Sequence, residues 1–202
     1  MRYCQPPLPL DSEAELTWIN HVLSLIPAEG SYVTSNRSAR VDDAEAIAAI
    51  YAHHVLHGTA SFEVDPPSAA YWRDKIEAVL SKGWPFLVTE IDGEVVAYAY
   101  ATQFRDRPAY AYTCENSIYV RADRLGRGIG RLLLKELIAA SRSAGFRQMI
   151  AVVGGGEPAS IALHSACDFQ EAGRMRSVGL KFGKWLDTVY MQLSLVDGGE
   201  AQ

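Results

Sequence analysis

The stretch from Thr113 to Val153 restricts the fold most. An apolar run, Thr113 to Val120, passes through a short polar segment to glycines at 126, 128 and 130, and a helix pattern then extends from Gly130 to Ala144. Leu133, Leu134, Leu137 and Ile138 give that helix one apolar face, Gly145 ends it, and Gln148 to Val153 follows as a buried strand. Just upstream, the strand-like runs Pro85 to Ile91 and Glu94 to Tyr100 are joined by Asp92-Gly93, a strong hairpin signal. A hairpin leading into strand–helix–strand–helix–strand units indicates an α/β (α+β) chain with a mixed sheet.

The remaining elements fit around this centre. Tyr32-Val33 begins a weak strand, and Asp42 or Asp43 caps a helix carrying Ile47, Ile50 and Tyr51. Pro66, Pro67 and Ser68 precede a second helix with Trp72, Ile76, Val79 and Leu80, which stops before Gly83. After the buried strand comes a helix from about Pro158 to Ala166, then strand candidates at Gly173 to Val178 and Thr188 to Leu195. Residues 1–30 are an N-terminal extension in which Asp11 caps a short helix to about Leu25, 31–196 form the main domain, and 197–202 are a tail.

A chain of 202 residues with 49% hydrophobic residues suits one compact domain plus such an extension. The formal net charge of -5 argues against a nucleic-acid surface, which needs clustered Lys and Arg. No apolar run spans a bilayer, and Met1-Arg2-Tyr3-Cys4 followed by Pro6 to Pro9 lacks the apolar stretch of a secretory signal. Cys4, Cys114 and Cys167 are odd in number and widely spaced, and make neither a zinc pattern nor a disulfide framework. The expectation is a cytoplasmic protein with no metal site and no nucleic-acid or membrane partner.

Glycines between a strand and a helix let backbone N–H groups converge and, with the positive helix end, make a site for a diphosphate. A dinucleotide fold would place this turn after its first strand, with an acidic residue about 20 positions on. Here the turn comes late in the chain, and no Lys-Ser or Lys-Thr follows it as a P-loop requires.

Ser117-Ile118-Tyr119-Val120 followed by Leu125-Gly126-Arg127-Gly128-Ile129-Gly130 resembles motif A of the GNAT acetyltransferases. There Gln/Arg-x-x-Gly-x-Gly/Ala binds the pyrophosphate of coenzyme A; Gly128 and Gly130 match the small positions, and Leu125 stands where Gln or Arg is usual. Two further blocks narrow the resemblance to phosphinothricin-type acetyltransferases. Ala109 to Val120 is similar to their segment before motif A, and Ser160-Ile161-Ala162-Leu163-His164 to their Ser-Ile/Val-Arg-Leu-His helix. Gly179-Leu180-Lys181-Phe182-Gly183-Lys184-Trp185-Leu186-Asp187 resembles their Gly-x-Lys-x-Gly-x-Trp-x-Asp signature, so that the similarity covers most of residues 37–195.

The resemblance implies a GNAT fold, a central mixed, mostly antiparallel, twisted sheet flanked by helices. It implies acetyl-CoA as co-substrate, held by Ile118, Tyr119, Val120, Leu125, Gly126, Arg127, Gly128, Ile129, Gly130 and Glu157, the last replacing a usual Asn. Glu115 matches the family's general base, and His164 occupies the position of an acid or second base. Phe62, Arg105, Arg107, Tyr110 and Lys181 are the candidates for the acceptor pocket, the cations suiting the carboxylate of an amino-acid-like amine. A homodimer is implied as well. Transfer to a protein N-terminus or an aminoglycoside, or an idle acyl-CoA sensor, stays open, the last because of Leu125, Glu157 and Asp168.

Overall fold

The computed structural model describes residues 34–196. The helix expected after Asp11, the strand start at Tyr32-Val33 and the tail lie outside the described residues. In chain order the elements are β1 (Thr34–Ser38), α1 (Ala44–His57), α2 (Ala69–Leu80), β2 (Phe86–Ile91), β3 (Glu94–Gln103), β4 (Thr113–Val120), α3 (Ile129–Ser143), β5 (Gln148–Gly154), α4 (Pro158–Ser165), β6 (Gln170–Lys181) and β7 (Lys184–Ser194). The strands form one sheet in the order β1-β2-β3-β4-β5-β7-β6. Every neighbouring pair is antiparallel except β4 and β5, as expected of a mixed, mostly antiparallel sheet.

Local chemistry explains most boundaries. Asp92 (φ 53°) and Gly93 (φ 82°) both take the positive φ that a two-residue hairpin turn demands. The Ser68 side chain accepts the Tyr71 N–H at the start of α2. Asp43 does not cap α1 with its side chain. Its carboxylate instead accepts the Arg40 N–H at 2.7 Å and pairs with Arg37, which also reaches Glu90 at 2.6 Å. Asp43 therefore ties β1 and β2 to the entry of α1.

Helices cover both faces of the sheet. Ile47 and Ile50 of α1 and Trp72, Ile76 and Val79 of α2 pack with Phe86, Val88 and Tyr98 on one face. On the other, Leu133, Leu134 and Leu137 of α3 are wholly buried against Ala97, Ala99, Val120 and Met149, with Ile161 and Leu163 of α4 alongside. Truncating one of these leucines to alanine costs about 2–5 kcal/mol.

The last two strands correct the sequence reading. β6 and β7 are longer than expected and meet in a tight hairpin whose turn is Phe182 (φ 49°) and Gly183 (φ 71°). Lys181, a sequence candidate for the acceptor pocket, ends β6 at the tip of that hairpin. A register shift falls between Met175 and Gly179, where Asp187 Oδ1 accepts the Ser177 N–H at 3.0 Å and holds Ser177 at φ 52°.

One feature of the sheet creates the site. β4 and β5 pair in parallel from Thr113↔Gln148 to Asn116↔Ala151 and no further, although both strands continue. Beyond this fork, Ser117 to Val120 keeps β3 on one side and has no strand on the other.

Candidate active site

Two cavities meet at the fork. One, of about 590 Å³, lies between the 53–60 segment, the end of β4, the glycine turn and the start of α4. The other, of about 440 Å³, runs over Glu115 to Tyr119, Val152 to Gly154 and the loop carrying Ser61, Phe62 and Glu63. Ala60, Ile118, Tyr119 and Ser160 line both, so a ligand threaded along the free edge of β4 passes from one into the other.

The glycines of the first cavity serve different ends. Gly126 (φ 73°) and Gly128 (φ 79°) take left-handed conformations, and Gly128 precedes α3 with no side-chain cap. Gly130 answers to space: a Cβ there would come to 3.4 Å from Leu163 and 3.5 Å from Val120. The first amides of α3 thus open toward the cavity without side chains over them, a cradle suited to phosphate oxygens. Nine of the ten residues expected here, Ile118, Tyr119, Val120, Leu125, Gly126, Gly128, Ile129, Gly130 and Glu157, line this cavity. Arg127 does not; it is exposed, and Arg124 and Arg131 are the cations in the wall. Leu125 is exposed and gives the mouth an apolar lip.

His53, His54 and His57 line the same cavity, which sequence reasoning missed because nothing local joins α1 to β4. His54 Nε2–H donates to the Val120 carbonyl at 2.8 Å, fixing the end of β4 where its neighbour has left it. Burial pulls the His54 pKa down, consistent with a neutral ring. Glu157 is held by Thr59, whose hydroxyl lies 3.5 Å from Oε2. Thr59 itself is packed so tightly against Gly155 that a Cβ there would come within 2.7 Å of it.

In the second cavity Glu115 stands on β4 opposite Thr102. Burial raises its pKa, and Arg105 and Lys75 pull it part of the way back. A carboxylate so tuned is a better proton acceptor than a solvated one.

His164 is buried on α4 with both ring nitrogens engaged. Nδ1 lies 2.8 Å from the Ser160 carbonyl, which can only accept, so Nδ1 carries the proton. Nε2 is then the acceptor for Asn116 Nδ2 at 2.9 Å. Burial lowers the His164 pKa, and its ring stands edge-on to Phe169. This geometry suits a neutral strut from α4 to the last paired rung of β4, and His164 also lines the second cavity, where the sequence expects an acid or second base. Asn116, missed in the sequence, supplies the other half of the strut.

Of the five residues expected to hold the acceptor, Phe62 lines the cavity. Its ring covers Gly179 and approaches Gly154, where added Cβ atoms would come within 2.3 Å and 3.2 Å of it. Lys181 is buried and its Nζ donates to the Ser61 carbonyl at 2.7 Å, so its ammonium braces the Phe62 loop rather than facing the cavity. Arg105, Arg107 and Tyr110 are exposed on the segment after β3. Arg105 lies over the Phe104 ring at 4.2 Å, and Tyr110 meets the same ring edge-on. None of these three lines the cavity, although Arg105 is near enough to act on Glu115. Among the described residues no group of three or more His, Cys, Asp or Glu is placed to hold a metal, and no helix is long and apolar enough to cross a membrane.

Comparison with known proteins shows the family and the fold. Residues 37–190 match the family model of the acetyltransferase (GNAT) domain. A phosphinothricin N-acetyltransferase of Alcaligenes faecalis is 52% identical over 163 residues, 80% of this chain and 83% of the relative. A methionine sulfoximine/methionine sulfone acetyltransferase of Pseudomonas paraeruginosa is 40% identical over 162 residues, 80% and 94% of the two chains. Among solved structures, a phosphinothricin acetyltransferase of Sinorhizobium meliloti in complex with acetyl-CoA superposes with a TM-score of 0.78 at 43% identity, covering 80% of this chain and 88% of the other. The yncA protein of Salmonella typhimurium, solved with its cofactor acetyl-CoA, gives 0.80 at 36% identity over 84% and 98%.

Proposed function

The chain belongs to the acetyltransferase (GNAT) family, and on that premise we propose that it transfers acetyl from acetyl-CoA to the α-amine of a small amino-acid analogue of the methionine sulfoximine or phosphinothricin type. The observation that carries this reading is the fork, where the free edge of β4 joins a phosphate-suited cavity to one holding a buried carboxylate.

The roles follow from the elements. Acetyl-CoA supplies an activated acyl thioester. Gly126, Gly128 and the first amides of α3 receive its diphosphate, with Arg124 and Arg131 in the wall. Ser117 to Val120 offer the backbone groups turned away from β3, along which an extended amide-bearing arm can lie as an extra strand. Glu115 takes the proton from the acceptor ammonium, directly or through water, which frees the nitrogen lone pair for attack on the thioester carbon. The C–N bond forms as the C–S bond breaks, coenzyme A leaves as its thiolate, and a second proton of the attacking nitrogen passes to that sulfur or to solvent. The Asn116–His164 strut holds the fork open at a fixed width. Direct attack of this kind asks for a base, the part given to Glu115, and for a carbonyl polarised by the free backbone N–H groups of Ser117 to Val120, and so calls for no metal.

The same reading makes the protein a cytoplasmic homodimer. Met175, Val178, Leu180, Phe182 and Trp185 are large and exposed on the β6–β7 hairpin, the kind of apolar patch that a partner covers.

Thiol release with saturating acetyl-CoA tests the acceptor class. Turnover is expected with methionine sulfoximine and with phosphinothricin, the sulfoximine ahead because the Lys181 ammonium is committed to Ser61 and unavailable to a second anionic group. Spermidine and kanamycin should give little. A preference for either polyamine overturns the acceptor class.

A further inference from the structure

α2 places one more cation beside Glu115. Lys75 lies between the buried Trp72 and Ile76 on that helix and is half-buried itself. Its Nζ stands 5.2 Å from the centroid of the Tyr100 ring. Tyr100 faces Ser117 across the β3–β4 ladder while Glu115 faces Thr102, so Tyr100 and Glu115 are diagonal neighbours on one face of the sheet. Both line the acceptor cavity, which puts the Lys75 ammonium at its edge on the side of the base. Among the described residues Lys75 makes no ion pair, whereas the Arg105 guanidinium donates to the Phe104 carbonyl and lies on the Phe104 ring.

An α-amino acid carries its amine and its carboxylate on the same carbon. A base that deprotonates the amine therefore meets the substrate carboxylate close by, and two anions in a half-buried site repel unless a cation stands with them. A simple amine makes no such demand. We infer that Lys75 binds the α-carboxylate of the acceptor over the Tyr100 ring, and so selects α-amino acids against amines that lack the carboxylate. This rests on the acetyl-transfer reading above and adds to it the residue that recognises the acid. The ammonium and the base already act on one another: Glu115 raises the Lys75 pKa and Lys75 lowers that of Glu115, each against the opposing effect of burial. The long unbranched stem lets the ammonium move from the ring to a ligand.

The test compares methionine sulfoximine with its α-carboxamide as acceptors, by thiol release at saturating acetyl-CoA, in wild type, Lys75→Met and Lys75→Arg. Wild type should prefer the acid. In Lys75→Met the KM for the acid should rise between about 10- and 100-fold, the worth of one hydrogen bond to a charged group. The KM for the carboxamide should stay within about twofold, which also shows that the variant is folded. Lys75→Arg should restore most of the preference for the acid. If Lys75→Met keeps the wild-type preference, or raises the KM equally for both acceptors, the assignment of Lys75 is overturned while acetyl transfer stands. If wild type itself does not distinguish acid from carboxamide, the α-amino-acid acceptor falls and Lys75 falls with it. If neither acceptor releases thiol, it is the acetyl-transfer reading that has failed.

Discussion

Replacing His164 with phenylalanine separates a strut from a proton donor. Phenylalanine keeps the ring against Phe169 but offers nothing to Asn116 Nδ2, and Asn116 Oδ1 already lacks a partner. One buried amide donor is thereby stranded, at a cost of about 1–3 kcal/mol. For a domain of this size each kcal/mol lowers Tm by about 2–4 °C, so a fall of about 2–12 °C is expected in a thermal scan at neutral pH. Adding Asn116→Leu removes the stranded donor as well, and the double variant should recover part of the loss, giving a coupling of about 0.5–3 kcal/mol. Linkage supplies a second signature. The native His164 pKa lies below its unfolded value of about 6.5, so the unfolded chain binds more protons between the two values. The His164 contribution is therefore complete above about pH 6.5 and is lost as pH falls through that value toward the native pKa. The Phe variant should lack this component of acid sensitivity. Its kcat falls with the altered fork, yet the shape of the pH–rate profile should survive. A Phe variant as stable as wild type, whose kcat profile has lost a limb, would refute the strut and restore His164 as an acid.

The glycines give further tests. Gly128→Asp puts a side chain and a negative charge where the diphosphate is to sit, at a residue whose φ of 79° already disfavours any side chain; acetyl-CoA affinity by calorimetry should drop at least about tenfold. Gly154→Ala and Gly179→Ala should behave differently in a thermal scan. At Gly154 the added Cβ meets the Ala60 backbone carbonyl at 2.8 Å and should cost about 1–3 kcal/mol. At Gly179 the nearest atoms it meets belong to the Phe62 side chain, which can swing, so stability should hold while the acceptor KM changes with the moved wall.

Much of this was legible in the sequence wherever the signal was local. Asp92-Gly93 marked its hairpin, Ser68 its helix, and the apolar face of α3 its burial. The β6–β7 hairpin escaped because β6 is an exposed edge strand with no buried face to mark its length, and because Phe182 sits at positive φ where Asn or Gly usually signals a turn. Asp43 fits a helix cap by residue type, yet Arg37, six residues earlier, draws its carboxylate away. Residues brought together across the sheet were harder still. His54 meets Val120, and Asn116 meets His164, across separations of 66 and 48 residues that carry no periodic signal. Lys181 suits a substrate cation by residue type, yet its ammonium donates to the carbonyl of Ser61, 120 residues away.

The central claim, that Glu115 is the base at the fork, is tested most directly by Glu115→Gln. The amide keeps the shape of the side chain and removes its basicity, and Glu115 is not among the residues lining the phosphate-suited cavity. Wild-type kcat should rise with pH as Glu115 loses its proton, at a pKa above that of an ordinary glutamate because burial outweighs Arg105 and Lys75. In Glu115→Gln that limb should vanish and kcat near neutral pH should fall by about 10²-fold or more, with acetyl-CoA affinity unchanged. Full activity in the variant, or a loss of activity traced wholly to lost acetyl-CoA binding, would contradict it.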